Sequence, residues 1–328
     1  MSRWLPHSAI WRHDMRRLGA LCIAVAVMTG PARAGEPLRE NMSAAGFPAT
    51  LTIPVGEGAA PTVLVIAGSG PTDRDGNSIL GIKAGYLALL ADDLAAGGVA
   101  TLRYDKRGVA GSKSAEREDE FTIDSFVDDA ADVFDWLAAR PDIGPVMVLG
   151  HSEGGMIALE LAKRRPSIAG LVLVATPRRL ADTLRDQLAA TSGPLRATAL
   201  EILARLEAGD DVADVPVPLL ALFRPSIQPY LRSLFALAPA SALAELPLPV
   251  LVIGGGADLQ VSRADFDALS TARENVESRW FARMNHVLVD AGPDFAGNVA
   301  TYAEPARALP NELADVISGF VLRAANRP

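Results

Sequence analysis

A chain of 328 residues, 49% of them hydrophobic and 21% charged, is long enough to bury a large core in one or two domains. Its net charge of −8 leaves no footprint for nucleic acid and speaks mainly for solubility. A single cysteine, Cys22, excludes an internal disulfide framework.

In chain order, residues 1–34 read as a signal peptide. Arg16-Arg17 precedes an apolar run, 18–28, too short to span a bilayer comfortably, and Ala32-Arg33-Ala34 completes a cleavage-site pattern. Cleavage near Ala34-Gly35 would give a secreted or periplasmic protein with no membrane span and no cysteine. An uncleaved anchor is the alternative, and the arginine pair leaves Sec and Tat export both open. A polar lead-in follows Gly35, then an edge strand at 49–54. Residues 62–67 (TVLVIA) are a continuous apolar run, as in a buried parallel strand. It opens into the turn-rich loop 68–77 (GSGPTDRDGN). A helix over 86–96 keeps Leu87, Leu90 and Leu94 on one face, and Gly97-Gly98 ends it. A strand at 99–104 leads to Asp105-Lys106-Arg107-Gly108. Thr122 or Asp124 then caps a helix running to 139.

Residues 145–149 (PVMVL) form the next strand, Gly150-His151-Ser152-Glu153-Gly154 follows at once, and 156–163 is helical. Strand, G-x-S-x-G and helix together are the pattern of a nucleophile elbow. Gly150 and Gly154 relieve the collisions of so tight a turn, and Gly155 lets the helix pack close to the sheet. The helix N-terminus below Ser152 favours a developing oxyanion. A glycine-rich turn with an incidental serine is the bland alternative.

Another buried strand covers 169–175. Residues 177–248 carry helical patterns and clustered prolines but no buried strand, and are too long for a plain loop, so they read as a helical cap. Strand 249–254, a helix near 263–272, a strand near 277–281 and a final helix over 311–324 restore the alternation. The fold class is therefore α/β, a doubly wound, mainly parallel sheet, with core segments 35–176 and 249–328 flanking the cap.

A serine hydroxyl needs a base to take its proton. Of four histidines, His7 and His13 precede the cleavage site and the turn directs His151 away from Ser152, which leaves His286. The carboxylate that orients it is Asp258, just past a strand end where open α/β sheets place their sites, with Asp290 as competitor. Asp265 and Asp267 read as solvated helix charges. For the oxyanion hole, one backbone N–H comes from Glu153, and the other from Ser69 or Gly68 in the loop after the first central strand.

Six segments, GSGPTDRDGN (68–77), LRYDKRGVAGS (102–112), GHSEGG (150–155), FRPSIQPYLRS (223–233), GADLQV (256–261) and MNHVLVD (284–290), carry a resemblance across nearly the whole mature chain. In their order the chain resembles a bacterial α/β-hydrolase of the esterase and serine-aminopeptidase-like type. The resemblance implies an α/β-hydrolase fold whose cap is inserted before the acid-bearing strand. It also implies a triad of Ser152, Asp258 and His286, in that family's chain order, and carboxylic-ester hydrolysis without cofactor or metal. One departure is the first central loop, Ala67-Gly68-Ser69-Gly70, which stands where many lipases have an HGGG-type sequence. The expected partner is a small or medium ester, with oligomeric state open. A peptidase, an aminopeptidase holding its substrate amine on Glu153, or a thioesterase would use the same machinery. A non-catalytic binding protein on this fold is the rival of a different class. Phe223, Tyr230 and Leu234 either line an acyl pocket or pack the cap onto the body. The charges at Asp73, Arg74 and Asp75, and at Asp105, Lys106 and Arg107, either tie their loops down or meet a polar substrate group.

Overall fold

The structure, a computed structural model, describes residues 36–56, 58–190, 193–292 and 294–327. The expected signal peptide lies outside them. Among the described residues no helix is long and apolar enough to cross a membrane.

Among the described residues eight strands form one sheet: β1 (Leu38–Ala44), β2 (Phe47–Ile53), β3 (Ala60–Ile66), β4 (Ala100–Tyr104), β5 (Ile143–His151), β6 (Leu171–Val174), β7 (Val250–Gly255) and β8 (Glu277–Phe281). Their spatial order is β1-β2-β4-β3-β5-β6-β7-β8, with β1 and β2 antiparallel and every pair from β4 to β8 parallel. Successive side chains of a strand point to opposite faces, so a strand buried on both faces reads as an unbroken apolar run. Leu64, Ile66, Val148, Leu171, Leu173 and Val252 pack on one face. Val63, Val65, Leu149, Val172, Val174 and Ile253 pack on the other.

Helices α1 (Tyr86–Ala96), α2 (Ile123–Ala138) and α3 (Glu153–Arg164) precede a run of five between β6 and β7. These are α4 (Leu180–Ala190), α5 (Leu195–Glu207), α6 (Leu220–Phe223), α7 (Gln228–Phe235) and α8 (Pro239–Glu245). The chain ends with α9 (Arg263–Ser270), α10 (Phe295–Ala300) and α11 (Leu313–Ala325). The apolar faces of α2, α3 and α9 meet the first sheet face, and those of α1 and α11 the second. Ala181, Leu203, Leu206, Phe223 and Phe235 form a separate cluster within the inserted helices.

Two expectations are corrected. The polar lead-in is strand β1, which takes the sheet edge and moves β2 inward. Ala45 (φ 49°) and Gly46 (φ 92°) both adopt the left-handed backbone that a two-residue hairpin turn requires. The polarity that hid β1 suits an edge exposed to solvent. Asp265 is not a solvated charge but fully buried. It accepts from the Arg178 amide (3.0 Å) and the Thr183 hydroxyl (2.8 Å), and so ties the start of the inserted helices to α9.

Candidate active site

The turn after β5 brings α3 in directly: Ser152 is the N-cap and Glu153 the first helical residue. Ser152 has φ 55° and ψ −122°, a backbone state disfavoured for any residue with a Cβ. Hydrogen bonds hold it there, from the Ser152 amide to Val174 (2.8 Å) and from the Gly155 amide to the Ser152 carbonyl (2.9 Å). Close packing does the rest. A Cβ on Gly150 would stand 2.2 Å from the Gly154 carbonyl oxygen, and one on Gly155 would stand 2.0 Å from Thr176 Oγ1. The Glu153 amide belongs to the first turn of α3, where no intrahelical acceptor exists for it.

Ser152, Asp258 and His286 follow the carboxyl ends of β5, β7 and β8, and Gly68 follows β3, so one edge of the parallel sheet gathers them all. His286 Nδ1 lies 2.9 Å from Asp258 Oδ2, with both side chains almost wholly buried. Asp258 Oδ1 accepts the backbone amides of Gln260 (2.7 Å) and Val261 (2.9 Å). That leaves Oδ2 for the imidazole, and a carboxylate acceptor assigns the proton to Nδ1 and the free lone pair to Nε2. Of the two competing acids, Asp258 is the one bonded to the ring.

The histidine loop has a frame that the sequence reading missed. Asn285 Oδ1 accepts the amides of Val287 and Val289, each at 3.2 Å. Its Nδ2 donates to Asn298 (2.9 Å) and Thr301 (2.7 Å). Asn298 in turn donates to the Ala257 carbonyl (2.7 Å), joining the acid loop to the histidine loop through α10. The available signal was Asn285 itself, a buried amide immediately before the histidine.

His151 does turn away from Ser152, and it has work there. Its Nε2 lies 2.9 Å from the His286 carbonyl, and its Nδ1 lies 3.2 Å from the Tyr86 hydroxyl. A carbonyl only accepts, so Nε2 carries the proton and Nδ1 receives the Tyr86 hydrogen bond. Burial, and then the neighbouring His286, push the His151 pKa from 6.5 down to about 3. The folded protein therefore keeps this ring neutral while the unfolded chain protonates it, so stability is lost as the pH falls from 6.5 towards 3. The loss is on the order of 3 kcal/mol at pH 4. In His151→Gln the difference between unfolding free energies at pH 7 and pH 4 should shrink by about that amount. An equal acid sensitivity in both proteins would contradict this origin.

The charged loops are tied down. Asp105 accepts both the Arg74 amide (2.9 Å) and its guanidinium (2.6 Å). Arg103 pairs with Asp75, Arg107 with Asp129 and Glu116, and Asp73 accepts the amides of Asp75 and Asn77. Lys106, buried, reaches Glu153 (3.1 Å) and the Gly68 carbonyl (2.6 Å). Glu153 is thus a carboxylate already paired with a buried ammonium.

The pocket assignment in the inserted helices is also corrected. Phe223 and Leu234 are both 0% exposed, Phe223 within the helical cluster and Leu234 against the main core, so packing consumes both side chains. The Tyr230 ring lies tilted 5.2 Å from that of Phe126, and burial and then Glu153 push the pKa of its phenol well above the usual range. In the loop after β3, Gly68 is buried and Ser69 exposed.

Comparison with known proteins agrees with this architecture. The family model described as serine aminopeptidase, S33 (Hydrolase_4) matches residues 80–210. Esterase EstD of Thermotoga maritima is 31% identical over 261 residues, 76% of this chain. The chain spans 60% of that esterase's length. BpoC of Mycobacterium tuberculosis, which bears the name of a non-heme bromoperoxidase, is 30% identical over 201 residues, 54% of this chain and 74% of that protein. Among solved structures, Est1E of Butyrivibrio proteoclasticus with ferulic acid bound superposes with a TM-score of 0.56 at 17% identity. That match covers 88% of this chain and all of Est1E, a likeness of fold.

Proposed function

The chain belongs to the α/β-hydrolase family, and from that premise we propose that it is a serine carboxylesterase acting on small or medium esters through an acyl-enzyme. The observation that carries the reading is the buried pairing of His286 Nδ1 with Asp258, at the same carboxyl edge of the sheet as a serine on a strained elbow. Ser152 Oγ attacks the ester carbonyl while His286 Nε2 takes its proton. Asp258 holds the ring in the tautomer that leaves Nε2 free and stabilises the imidazolium that forms. The amides of Glu153 and of the Gly68–Ser69 loop meet the negative charge on the tetrahedral oxygen. His286 then returns the proton to the leaving alcohol, and a water deprotonated by the same nitrogen releases the acid.

A serine aminopeptidase is the second reading, favoured by the description of the matching family model. The Lys106–Glu153 pair speaks against it, because it neutralises the carboxylate best placed to hold a substrate amine. Turnover of p-nitrophenyl esters from C2 to C16, beside aminoacyl p-nitroanilides, decides between them. The ester reading expects kcat/KM for a short or medium ester to exceed that of any anilide by at least about 10²-fold, roughly 2.7 kcal/mol in transition-state binding. Anilide hydrolysis at equal or greater rate would replace it with the peptidase. Thioester turnover above that of the matched oxygen ester would replace it with a thioesterase.

A further inference from the structure

We infer that Lys106 is a positioning residue for the oxyanion hole, and that it selects the Ser69 amide as the second donor. The inference rests on the serine-hydrolase reading above. Lys106 stands two residues past β4, and its ammonium is buried beneath the nucleophile turn. One of its bonds goes to the Gly68 carbonyl oxygen, at 2.6 Å. A peptide unit is planar and trans, so fixing that oxygen fixes the direction of the N–H on the opposite side of the same unit, which is the amide of Ser69. The far side of Ser69 is pinned as well, since its carbonyl accepts the Thr72 hydroxyl at 2.9 Å. This peptide lies against the nucleophile, for a Cβ on Gly68 would come within 3.3 Å of the Ser152 Cβ and 3.1 Å of His151 Nδ1. The other bond of Lys106 goes to the side chain of Glu153, whose own amide is the first donor. One buried ammonium therefore spans the two residues whose N–H groups must converge on a single oxygen.

The neighbours of Lys106 make this grip rigid. Asp105 is locked to Arg74, and Arg107 to Asp129 and Glu116. The Phe126 ring lies 5.6 Å from the ammonium and closes that side from water. A salt bridge that only balanced a buried carboxylate would not need its shorter contact to be a backbone carbonyl in the oxyanion loop.

The test compares wild type with Lys106→Met and with the double variant Lys106→Met/Glu153→Gln. The single change strands a buried carboxylate and lowers Tm, whereas the double change removes both charges and keeps the fold. With a short p-nitrophenyl ester, the double variant should keep a Tm near that of wild type, with kcat 10- to 100-fold lower and KM altered less than about threefold. Such a loss is what misaligning one preorganised donor produces. The Ki of an alkyl trifluoromethyl ketone, which forms a tetrahedral oxyanion on the serine, should weaken by the same factor as kcat. A double variant with wild-type kcat, or an unchanged Ki for the ketone, would reduce Lys106 to a charge partner of Glu153. Wild-type protein inert towards esters and ketone alike would overturn the hydrolase reading and this inference together. Wild-type turnover with an unaffected double variant would overturn the inference alone.

Discussion

Ser152→Ala should lower kcat on a p-nitrophenyl ester by about 10⁶-fold and leave the protein folded. The size follows from the unit behaviour of a triad, in which losing the nucleophile alone removes nearly all of the covalent route. A residual rate above the uncatalysed one is expected, because the oxyanion donors and the binding surface remain. The fold survives because alanine keeps the Cβ and the backbone state of serine. Strain at φ 55° is then common to both proteins, and unfolding midpoints should agree closely. Ser152→Gly separates the two effects. It is equally inactive, but more stable by about 1 kcal/mol, since glycine adopts that backbone at no steric cost. Retained turnover in both variants would remove Ser152 from the chemistry.

Asp258→Asn should cost about 10⁴-fold in kcat with KM nearly unchanged. The replacement is almost isosteric, and its Oδ1 can still accept the amides of Gln260 and Val261. Its NH2 then faces His286 Nδ1 and can only donate. The imidazole must present a lone pair at Nδ1 and carry its proton on Nε2, the tautomer that cannot accept from Ser152. The imidazolium that forms during attack also loses its counter-charge. Asp290→Asn is the control: it is half-buried and its carboxylate is not bonded to the ring, so kcat should change less than about twofold. Equal losses in the two variants would dissolve the distinction between the acids.

Much of this architecture was legible because burial on two faces writes itself as uninterrupted apolar runs. Residues 62–67, 145–149, 169–175 and 249–254 all fall in or against strands β3, β5, β6 and β7. Asp258 and His286, 28 residues apart, were singled out by strand-end position and by elimination among four histidines, and they share a hydrogen bond. β1 was invisible because an edge strand need not be apolar and its turn is Ala45-Gly46 rather than Asn-Gly. α10 is six residues long and contains Gly297, too little for a periodicity to register. Phe223 and Leu234 were ambiguous for a different reason: an apolar side chain in the inserted helices says that it is buried, not against which surface. The bonds from Lys106 to Gly68 and Glu153 span 38 and 47 residues, so no local pattern encodes them. Asp265 likewise looked solvated until its partners Arg178 and Thr183, more than 80 residues away, were in place.

The central claim is that Ser152 is a nucleophile activated by its surroundings, and covalent labelling by a fluorophosphonate tests it most directly. Intact-mass analysis should show one adduct per chain, peptide mapping should locate it on Ser152, and Ser152→Ala should take up none. An adduct on another residue, or undiminished labelling of Ser152→Ala, would contradict the account.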